Sequence, residues 1–212
     1  MKRQIGTSAV ARIALYYRVL NSLREDGVQY ISSREMGEKT GNNAAQVRKD
    51  LSFLGHFGRP GVGYDLPDLH TKLSKILKKD VSRKIALVGV GNLGMALLSY
   101  NRFKEEGYLF SAIFDNDRRK IGSKRGGVIV QDISELKPAL LKEKINIGIV
   151  TVPPSVCQKV VDDLIEVGVR AILNFAPARV TAPNHINLQN VDLSIELDRL
   201  SFFQDNKRQI KE

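Results

Sequence analysis

The stretch "IALVGVGNLGMALL", residues 85–98, constrains the fold of this 212-residue chain more than any other segment. An apolar run breaks at a G-x-G-x-x-G sequence and then continues in a helical pattern. Such a glycine pattern is a weak signal alone, but here it has the required strand before it and helix after it. The segment therefore predicts a turn that holds a dinucleotide pyrophosphate at a helix N-terminus. The predicted phosphate-binding residues are Gly89, Val90, Gly91, Asn92, Leu93 and Gly94.

A second apolar segment, "YLFSAIFDND", ends near Asp115, about twenty residues after the last glycine. A carboxylate at this distance is expected to accept hydrogen bonds from the adenine ribose hydroxyls. It also repels a 2′-phosphate, so the sequence favours NAD(H) over NADP(H). Arg118 and Arg119 lie close by and keep the NADP(H) alternative open.

Strand and helix patterns alternate further along the chain, to about residue 190. Strands are predicted at "GGVIV", "INIGIVTV" and "RAILNFAP", and helices at "ISELKPALLK" and "SVCQKVVDDLIEVG". This alternation favours an α/β fold with a parallel, Rossmann-like sheet. The carboxyl ends of two strands should line the cleft for the nicotinamide half of the cofactor. The residues at these ends are Thr151, Val152, Pro153, Asn174, Phe175, Ala176 and Pro177.

About eighty residues precede the glycine turn, and they are the more basic part of the chain. Residues 1–80 contain 14 Lys and Arg against 8 Asp and Glu, which accounts for +6 of the total net charge of +10. Excess positive charge attracts phosphate backbones, although it is also common in proteins that bind no nucleic acid.

The same region has a helix-turn-helix pattern. A first helix, capped by Thr7 or Ser8, is expected to end at Gly27. In the next segment, "SSREMGEKTG", Ser32 and Glu35 fit a capping box for a short helix. A third helix should follow in "NNAAQVRKDLSFLG", capped by one of its two asparagines. The pattern is typical of DNA-binding domains in which this third helix enters the major groove.

The side chains of the third helix suit base recognition. Gln46 can bridge adenine, Arg48 can contact guanine and Lys49 can neutralise a phosphate. The glycine-rich segment "HFGRPGVGYDL" then predicts a tight β-ribbon, or wing, whose Arg59 can enter a groove. A small helical bundle with solvated charges is the alternative. The predicted DNA-binding residues are Asn43, Ala45, Gln46, Arg48, Lys49, Ser52, Arg59, Gly61, Gly63 and Tyr64.

Cysteine and histidine give no sign of a disulfide or a metal. Cys157 is the only cysteine, which fits a reducing compartment, and we interpret it as a small buried residue. His56, His70 and His185 are scattered, so no metal site is predicted.

The N-terminal segment "MKRQIGTSAVARIALYYRVL" begins like a signal peptide with Lys2 and Arg3, but Arg12 and Arg18 interrupt its apolar part. No apolar stretch reaches membrane-spanning length. We therefore expect a cytoplasmic protein with no membrane partner.

A catalytic role is not predicted. Tyr100 and Lys104 match a Tyr-x-x-x-Lys pair, but we place them in the helix directly after the phosphate turn, where such a pair has no catalytic context. Hydride transfer needs a proton donor or acceptor beside the nicotinamide, and no histidine lies at a predicted cleft strand end. An NAD-dependent oxidoreductase with a basic accessory domain remains the main alternative.

The tail "NVDLSIELDRLSFFQ" has apolar residues on more than one helix face. Such a helix is expected to pack into a partner subunit, because helix-turn-helix proteins usually act as two-fold dimers. Packing on its own sheet is the alternative. The predicted domains are a winged helix over 1–80, an NAD(H)-binding domain over 81–192 and a C-terminal helix and tail over 193–212.

These segments together resemble the Rex family of redox-sensing transcriptional repressors of Gram-positive bacteria. The shared motifs are "LYYRVL", "QVRKDLS", "FGRPGVGY", "VGVGNLG", "FDND", "RGGV", "TVP", "ILNFAPAR" and "VDLSIEL", in the family's order. The resemblance covers nearly the whole chain. The sequence departs from some relatives at Leu193, where they have Phe near the nicotinamide.

The resemblance implies a homodimer with a swapped C-terminal helix. It implies binding to inverted-repeat operator DNA when the NADH/NAD⁺ ratio is low, release when NADH binds, and control of fermentation and respiratory genes. NADH and NAD⁺ would then be effectors that are not consumed. Arg18, Tyr100 and Asp192 match the polar residues that exchange partners in the family's switch. A DNA-binding dimer that has lost its ligand is a third interpretation.

Overall fold

The computed structural model of the chain describes residues 6–55, 58–59 and 61–206. The chain divides into two compact units, Met1–Val81 and Ser82–Glu212. Lys2 and Arg3, His56, Phe57 and Pro60 of the predicted wing, and the tail after residue 206 lie outside the described residues.

The first unit is a three-helix arrangement followed by a β-ribbon and a fourth helix. Strands β1, β3 and β2 form a small antiparallel sheet in that order. The predicted helix-turn-helix and wing are thus confirmed as a fold. The elements are α1 (Thr7–Glu25), β1 (Tyr30–Ile31), α2 (Ser33–Thr40), α3 (Ala44–Leu54), β2 (Gly58–Arg59), β3 (Gly63–Asp65) and α4 (Leu66–Leu77).

Local hydrogen bonds fix the ends of these helices. Ser32 and Glu35 form the predicted capping box at the start of α2. Asn43 caps α3 by accepting from the Gln46 N–H at 2.7 Å. The predicted cap of α1 is wrong: the helix already begins at Thr7, and Gly6 occupies the cap position without a side-chain bond.

The core of the first unit lies between its helices. Tyr16 and Leu20 of α1, Met36 of α2, and Leu51 of α3 are almost fully buried, and they pack with apolar residues of α4. His70 belongs to this core too, because its ring stacks on Tyr17 at 4.9 Å. Helix α3 therefore has one side fixed by packing, and its other side remains exposed.

The second unit is built on a seven-stranded sheet with helices. The strands follow the order β10-β9-β8-β4-β5-β7-β6, and all pairs are parallel except β6 with β7. The elements are β4 (Arg83–Val88), α5 (Asn92–Leu98), α6 (Arg102–Glu105), β5 (Tyr108–Asp115), β6 (Lys124–Arg125), β7 (Val128–Asp132), a 3₁₀ turn (Ile133–Glu135), α7 (Leu136–Glu143), β8 (Ile147–Val150), α8 (Pro154–Glu166), β9 (Ala171–Asn174), β10 (Asn187–Asn190) and α9 (Leu193–Asn206).

The strand order confirms the predicted parallel, Rossmann-like sheet, which is doubly wound. The first strand, β4, lies between β5 and β8, so the connections leave it in both directions. This switch point is where such sheets bind ligands at their carboxyl edge. Alternate residues of β4 enter different cores: Ala86 and Val88 pack in one cluster, Ile85 and Leu87 in the other.

Three details of the second unit differ from the sequence predictions. Tyr100 lies in the connection between α5 and α6, not inside a helix. Strand β6 is an antiparallel addition to the sheet edge, and β10 is an exposed strand of mostly polar residues. Neither strand has an apolar pattern that sequence analysis can detect.

Helix α9 has a large apolar surface that the single chain does not cover. Its residues Leu193, Ile195, Leu197, Leu200 and Phe202 are each more than half exposed.

Among the described residues, no helix combines the length and apolar character needed to cross a membrane.

Candidate functional site

The three glycines of the turn between β4 and α5 have different physical roles. Gly89 has φ +96, and a Cβ there would lie 2.7 Å from the Thr151 carbonyl oxygen. A Cβ on Gly94 would collide with the Gly89 carbonyl. In contrast, nothing lies within 4 Å of a Cβ built on Gly91. The first and third glycines thus permit the turn and its packing, whereas the second leaves open space at the backbone.

The glycine turn is held by its neighbours on both sides. The Thr151 hydroxyl donates to the Gly89 carbonyl at 2.7 Å. On the other side, the Val90 N–H donates to Asp115 Oδ2 at 2.7 Å. The turn is therefore fixed in position before any ligand arrives.

Asp115 is buried, and several groups stabilise its charge. Burial by itself would raise the pKa of this carboxyl. Hydrogen bonds from the N–H groups of Asp117 and Val90, and the Lys120 ammonium at 3.0 Å, outweigh burial, so the pKa is lower than usual. The group stays ionised and retains part of its acceptor capacity for a ligand.

A cavity of about 980 Å³ lies at the carboxyl edge of the large sheet. This volume is at the upper end of the range for small-molecule sites. Predicted cofactor residues line it from the ends of four strands: Gly89, Gly91, Leu93, Asp115, Thr151, Val152, Pro153, Phe175, Ala176 and Pro177. The apolar residues group at the ends of β8 and β9, which suits an aromatic ring.

Four predicted cofactor residues do not line this cavity. Val90 is buried and contributes its N–H to Asp115, and Gly94 is buried against Gly89. Asn92 is the exposed first residue of α5. Asn174 is fully buried.

Asn174 shapes the strand end from inside. Its Oδ1 accepts from the Ala176 N–H at 2.9 Å and from the Cys157 thiol at 3.2 Å. Its amide donates to Asn190 Oδ1 at 2.9 Å. Cys157 is fully buried, and burial raises the pKa of its thiol. Both side chains support the cavity wall without lining it.

Sequence reasoning missed three lysines at the cavity. Lys120 pairs with Asp115, and Lys137 and Lys159 both pair with Asp163 at about 3 Å. The two lysines on α7 and α8 lie far apart in the sequence, so only the packing of these helices brings them together.

The first unit has a groove of about 670 Å³ between α3 and the wing. Arg48, Ser52, Arg59, Gly61, Gly63 and Tyr64 line it, as do Ser32 and Ser33, which the sequence did not indicate. Arg48 Nη1 donates to Ser33 Oγ at 2.9 Å. Ala45 and Lys49 are exposed on the same helix. The groove is basic and open, as a phosphate-binding surface should be.

Three predicted DNA-binding side chains are engaged in contacts within the unit. Tyr64 is 8% exposed, packs in the core under the wing, and has a pKa raised by burial. Gln46 Nε2 donates to Asp50 Oδ1 at 2.8 Å, so its amide is not directed outward. Asn43 uses its side chain as the cap of α3.

The three residues that the sequence predicts for the switch lie on the surface of their own units. Arg18 is exposed on α1. Tyr100 is about half exposed, and its ring contacts Phe103 edge-on at 5.3 Å. Asp192 Oδ1 accepts from the N–H and hydroxyl of Ser194 at the start of α9, and these bonds lower its pKa.

Within the described part of the chain, no group of three or more His, Cys, Asp and Glu side chains is arranged to hold a metal ion.

Two family models match the chain, one for each unit. A CoA binding domain matches residues 80–178, and a putative DNA-binding protein N-terminus matches residues 4–52.

Similar proteins extend over the full length of the chain. The redox-sensing transcriptional repressor Rex of Desulfitobacterium hafniense is 42% identical over 97% of this chain and 98% of its own. The repressor RSP, solved in complex with β-NAD⁺ and operator DNA, is 35% identical, covers 98% of this chain and 96% of its own, and has a TM-score of 0.92.

RSP has also been solved in complex with β-NADH. That structure is 34% identical, covers 98% of this chain and 97% of its own, and has a TM-score of 0.87. With relatives of this identity over nearly the whole length, and with a winged helix in one unit and a glycine-turn cavity in the other, the chain belongs to the Rex family of redox-sensing transcriptional repressors.

Proposed function

We propose that this protein is a repressor that binds operator DNA when NADH is scarce and releases it when NADH binds. The observation that carries the proposal is the full-length likeness to RSP, a repressor solved with β-NAD⁺ and operator DNA. The cavity of the second unit and the basic groove of the first unit supply one site for each ligand.

The residues that line the cavity favour one orientation of a bound dinucleotide. The open space at Gly91 admits the pyrophosphate, and Asp115 meets the adenine ribose. The nicotinamide then lies among Val152, Pro153 and Phe175. The oxidised ring has a positive charge that an apolar wall disfavours, so NADH is the stronger effector.

The groove suits a DNA backbone and a major-groove edge. Arg48 and Lys49 project from the exposed side of α3, and Arg59 extends from the wing. Arginine can contact guanine with two parallel bonds, and lysine neutralises a phosphate. We infer that the operator DNA is an inverted repeat and that a homodimer binds it. In this dimer, α9 of each subunit is covered by the partner subunit.

The two ligands must be coupled for the protein to act as a sensor. If NADH prefers the dimer that cannot bind DNA, then DNA weakens NADH binding by the same factor. Typical coupling free energies are about 1–3 kcal/mol, or roughly 5–150-fold in affinity. We assign the exchange of contacts between these states to Arg18, Tyr100 and Asp192.

The repressor is not an enzyme under this proposal, and it works in the cytoplasm with DNA. Among the described residues that line the cavity there is no His, Tyr or Cys, and the lysines Lys120, Lys137 and Lys159 are paired with Asp115 or Asp163. The relatives are named as repressors. An oxidoreductase would instead oxidise NADH with a carbonyl substrate, which the absorbance of NADH reports.

Two binding measurements on the full-length protein test the proposal. Calorimetry should detect NADH binding, with NAD⁺ weaker and NADPH weaker still. Selection from a pool of random duplexes should enrich an inverted repeat. The proposal is overturned if the protein does not bind NADH or does not bind DNA. Oxidation of NADH with carbonyl substrates would favour the oxidoreductase.

A further inference from the structure

Asp50 is a buried carboxylate on the recognition helix, and donors of its own unit surround it. Arg12 of α1 donates through Nε to Oδ2 at 2.6 Å and through Nη2 to Oδ1 at 2.7 Å. The Tyr16 hydroxyl donates to Oδ2 at 2.9 Å, and Gln46 Nε2 donates to Oδ1 at 2.8 Å. A carboxylate has about four acceptor positions, so these four donors fill it. We call these four residues the Asp50 cluster.

The cluster restrains Gln46. To bridge an adenine, a glutamine must direct both its amide nitrogen and its amide oxygen at the base edge. Here one of the two N–H donors of this nitrogen is bound to Asp50, whose side chain is only 5% exposed, and this bond fixes the direction of the amide. Charge-assisted hydrogen bonds are roughly twice as strong as neutral ones. Turning Gln46 outward would leave a buried carboxylate oxygen short of a donor, which is unfavourable.

The cluster also joins two helices. Arg12 and Tyr16 lie one turn apart on α1, and both bind the carboxylate of α3. A two-bond arginine–carboxylate pair fixes direction as well as distance. Any rotation of α3 on α1 would break several of these bonds at once. The cluster thereby fixes the part of the backbone of α3 that bears the exposed residues Arg48 and Lys49.

We propose that Asp50 is a positioning residue for DNA recognition. It fixes α3 on α1, and it keeps the Gln46 amide from contacting a base. Sequence preference is then carried by Arg48, and Lys49 contacts a phosphate. Arg48 has one neutral bond to Ser33, and most of its five N–H donors remain for DNA. This proposal rests on the proposed DNA binding.

The first test compares base preferences. A duplex selected by the wild-type protein from a random pool, and each of its single-base-pair changes, are titrated with wild type, Gln46→Ala and Arg48→Ala. Gln46→Ala should keep every base preference, because the loss of one donor to Asp50 raises the dissociation constants of all the duplexes alike and by no more than about threefold. Arg48→Ala should lose preference for at least one base pair, by roughly 5–150-fold. A preference lost in Gln46→Ala would mean that Gln46 reads that base, and the proposal is overturned.

The second test separates positioning from stability. Asp50→Asn should lower the ratio of affinities for the selected and an unrelated duplex by about tenfold or more, with NADH affinity unchanged. Partial unfolding would lower both DNA affinities equally and leave the ratio as it was. Tyr16→Phe removes one donor without changing charge or volume greatly, and it should give a smaller drop in the same ratio. If Asp50→Asn does not fold, Tyr16→Phe decides alone. An unchanged ratio in a folded variant contradicts the positioning role, whereas a wild-type protein that selects no DNA contradicts the proposed function instead.

Discussion

The glycines of the turn differ in their roles: one is required for packing, and another leaves space for a ligand. Gly94 is required by packing because a Cβ would collide with the Gly89 carbonyl. Gly91 borders open space, so its lack of a side chain serves the cavity and not the fold. The sequence pattern treats these glycines alike, and only the surrounding backbone distinguishes them.

Gly91→Ala should therefore leave stability almost unchanged and weaken NADH binding by about tenfold or more, since its methyl group occupies the pyrophosphate approach. Calorimetry and thermal unfolding measure the two effects. Gly94→Ala is the matched control and should lower the melting temperature. Normal NADH affinity in Gly91→Ala would place the pyrophosphate elsewhere.

Asp115 has two roles at once, one toward the turn and one toward the ligand. Asp115→Asn keeps the size of the side chain but removes its charge, so the Val90 N–H and the Lys120 ammonium lose their ionised acceptor. NADH affinity should fall by about tenfold, since charged hydrogen bonds contribute roughly 1.5–3 kcal/mol. Lys124→Gln, on the exposed edge strand β6, is the control. Equal affinities in wild type and Asp115→Asn would remove Asp115 from the ribose site.

At the scale of elements, local signals were predictable and long-range contacts were not. The sequence contains the full pattern of two such signals, the capping box of Ser32 and Glu35 and the glycine turn. Each involves residues within one helical turn or loop. Arg12 and Asp50 lie 38 positions apart, and the sequence gives no sign that they meet. For the same reason, the sequence alone predicts that Gln46 contacts a base. Strand β10 has no apolar pattern, because it lies exposed at the sheet edge.

The ion pair of Arg12 and Asp50 should make the stability of the winged helix sensitive to acid. The Arg12 guanidinium lowers the pKa of the Asp50 carboxyl, and burial opposes this without reversing it. A lowered pKa means that the stabilisation is present above the ordinary aspartate pKa of about 3.9 and is lost as pH falls through the lower native value. Asp50→Asn should thus reduce the free energy of unfolding by about 3–5 kcal/mol near neutral pH, with the difference narrowing below about pH 4.

Urea unfolding of wild type and Asp50→Asn across this pH range measures the difference. Asp68→Asn is a suitable control, since Asp68 forms an exposed pair with Lys72 on α4. Its effect should stay below about 1 kcal/mol. A difference between wild type and Asp50→Asn that is constant with pH would show that the charge of Asp50 does not matter.

At the scale of the whole molecule, the exposed apolar face of α9 is the feature that a single chain leaves unexplained. Residues such as Leu197 and Leu200 are about two-thirds exposed. Each buried leucine contributes about 1.5–3 kcal/mol, so a partner subunit covering this face would gain substantial free energy.

We expect the wild-type protein to sediment as a dimer, and Leu197→Asp with Leu200→Asp to shift it toward monomer. Ser201→Asp, on the same helix, adds charge at a small side chain and is the comparison variant. Sedimentation velocity at several concentrations measures the result. A stable dimer in the double variant would place the dimer contact outside α9.

The central claim is that NADH and DNA oppose each other on this protein, and one titration tests it most directly. A labelled inverted-repeat duplex is bound at fixed salt, because salt alone changes such affinities strongly. Fluorescence anisotropy then follows its release. NADH should weaken DNA binding by roughly 5–150-fold, and NAD⁺ at the same concentration should have a much smaller effect. Equal effects of the two nucleotides, or no effect of either on tightly bound DNA, would contradict the account.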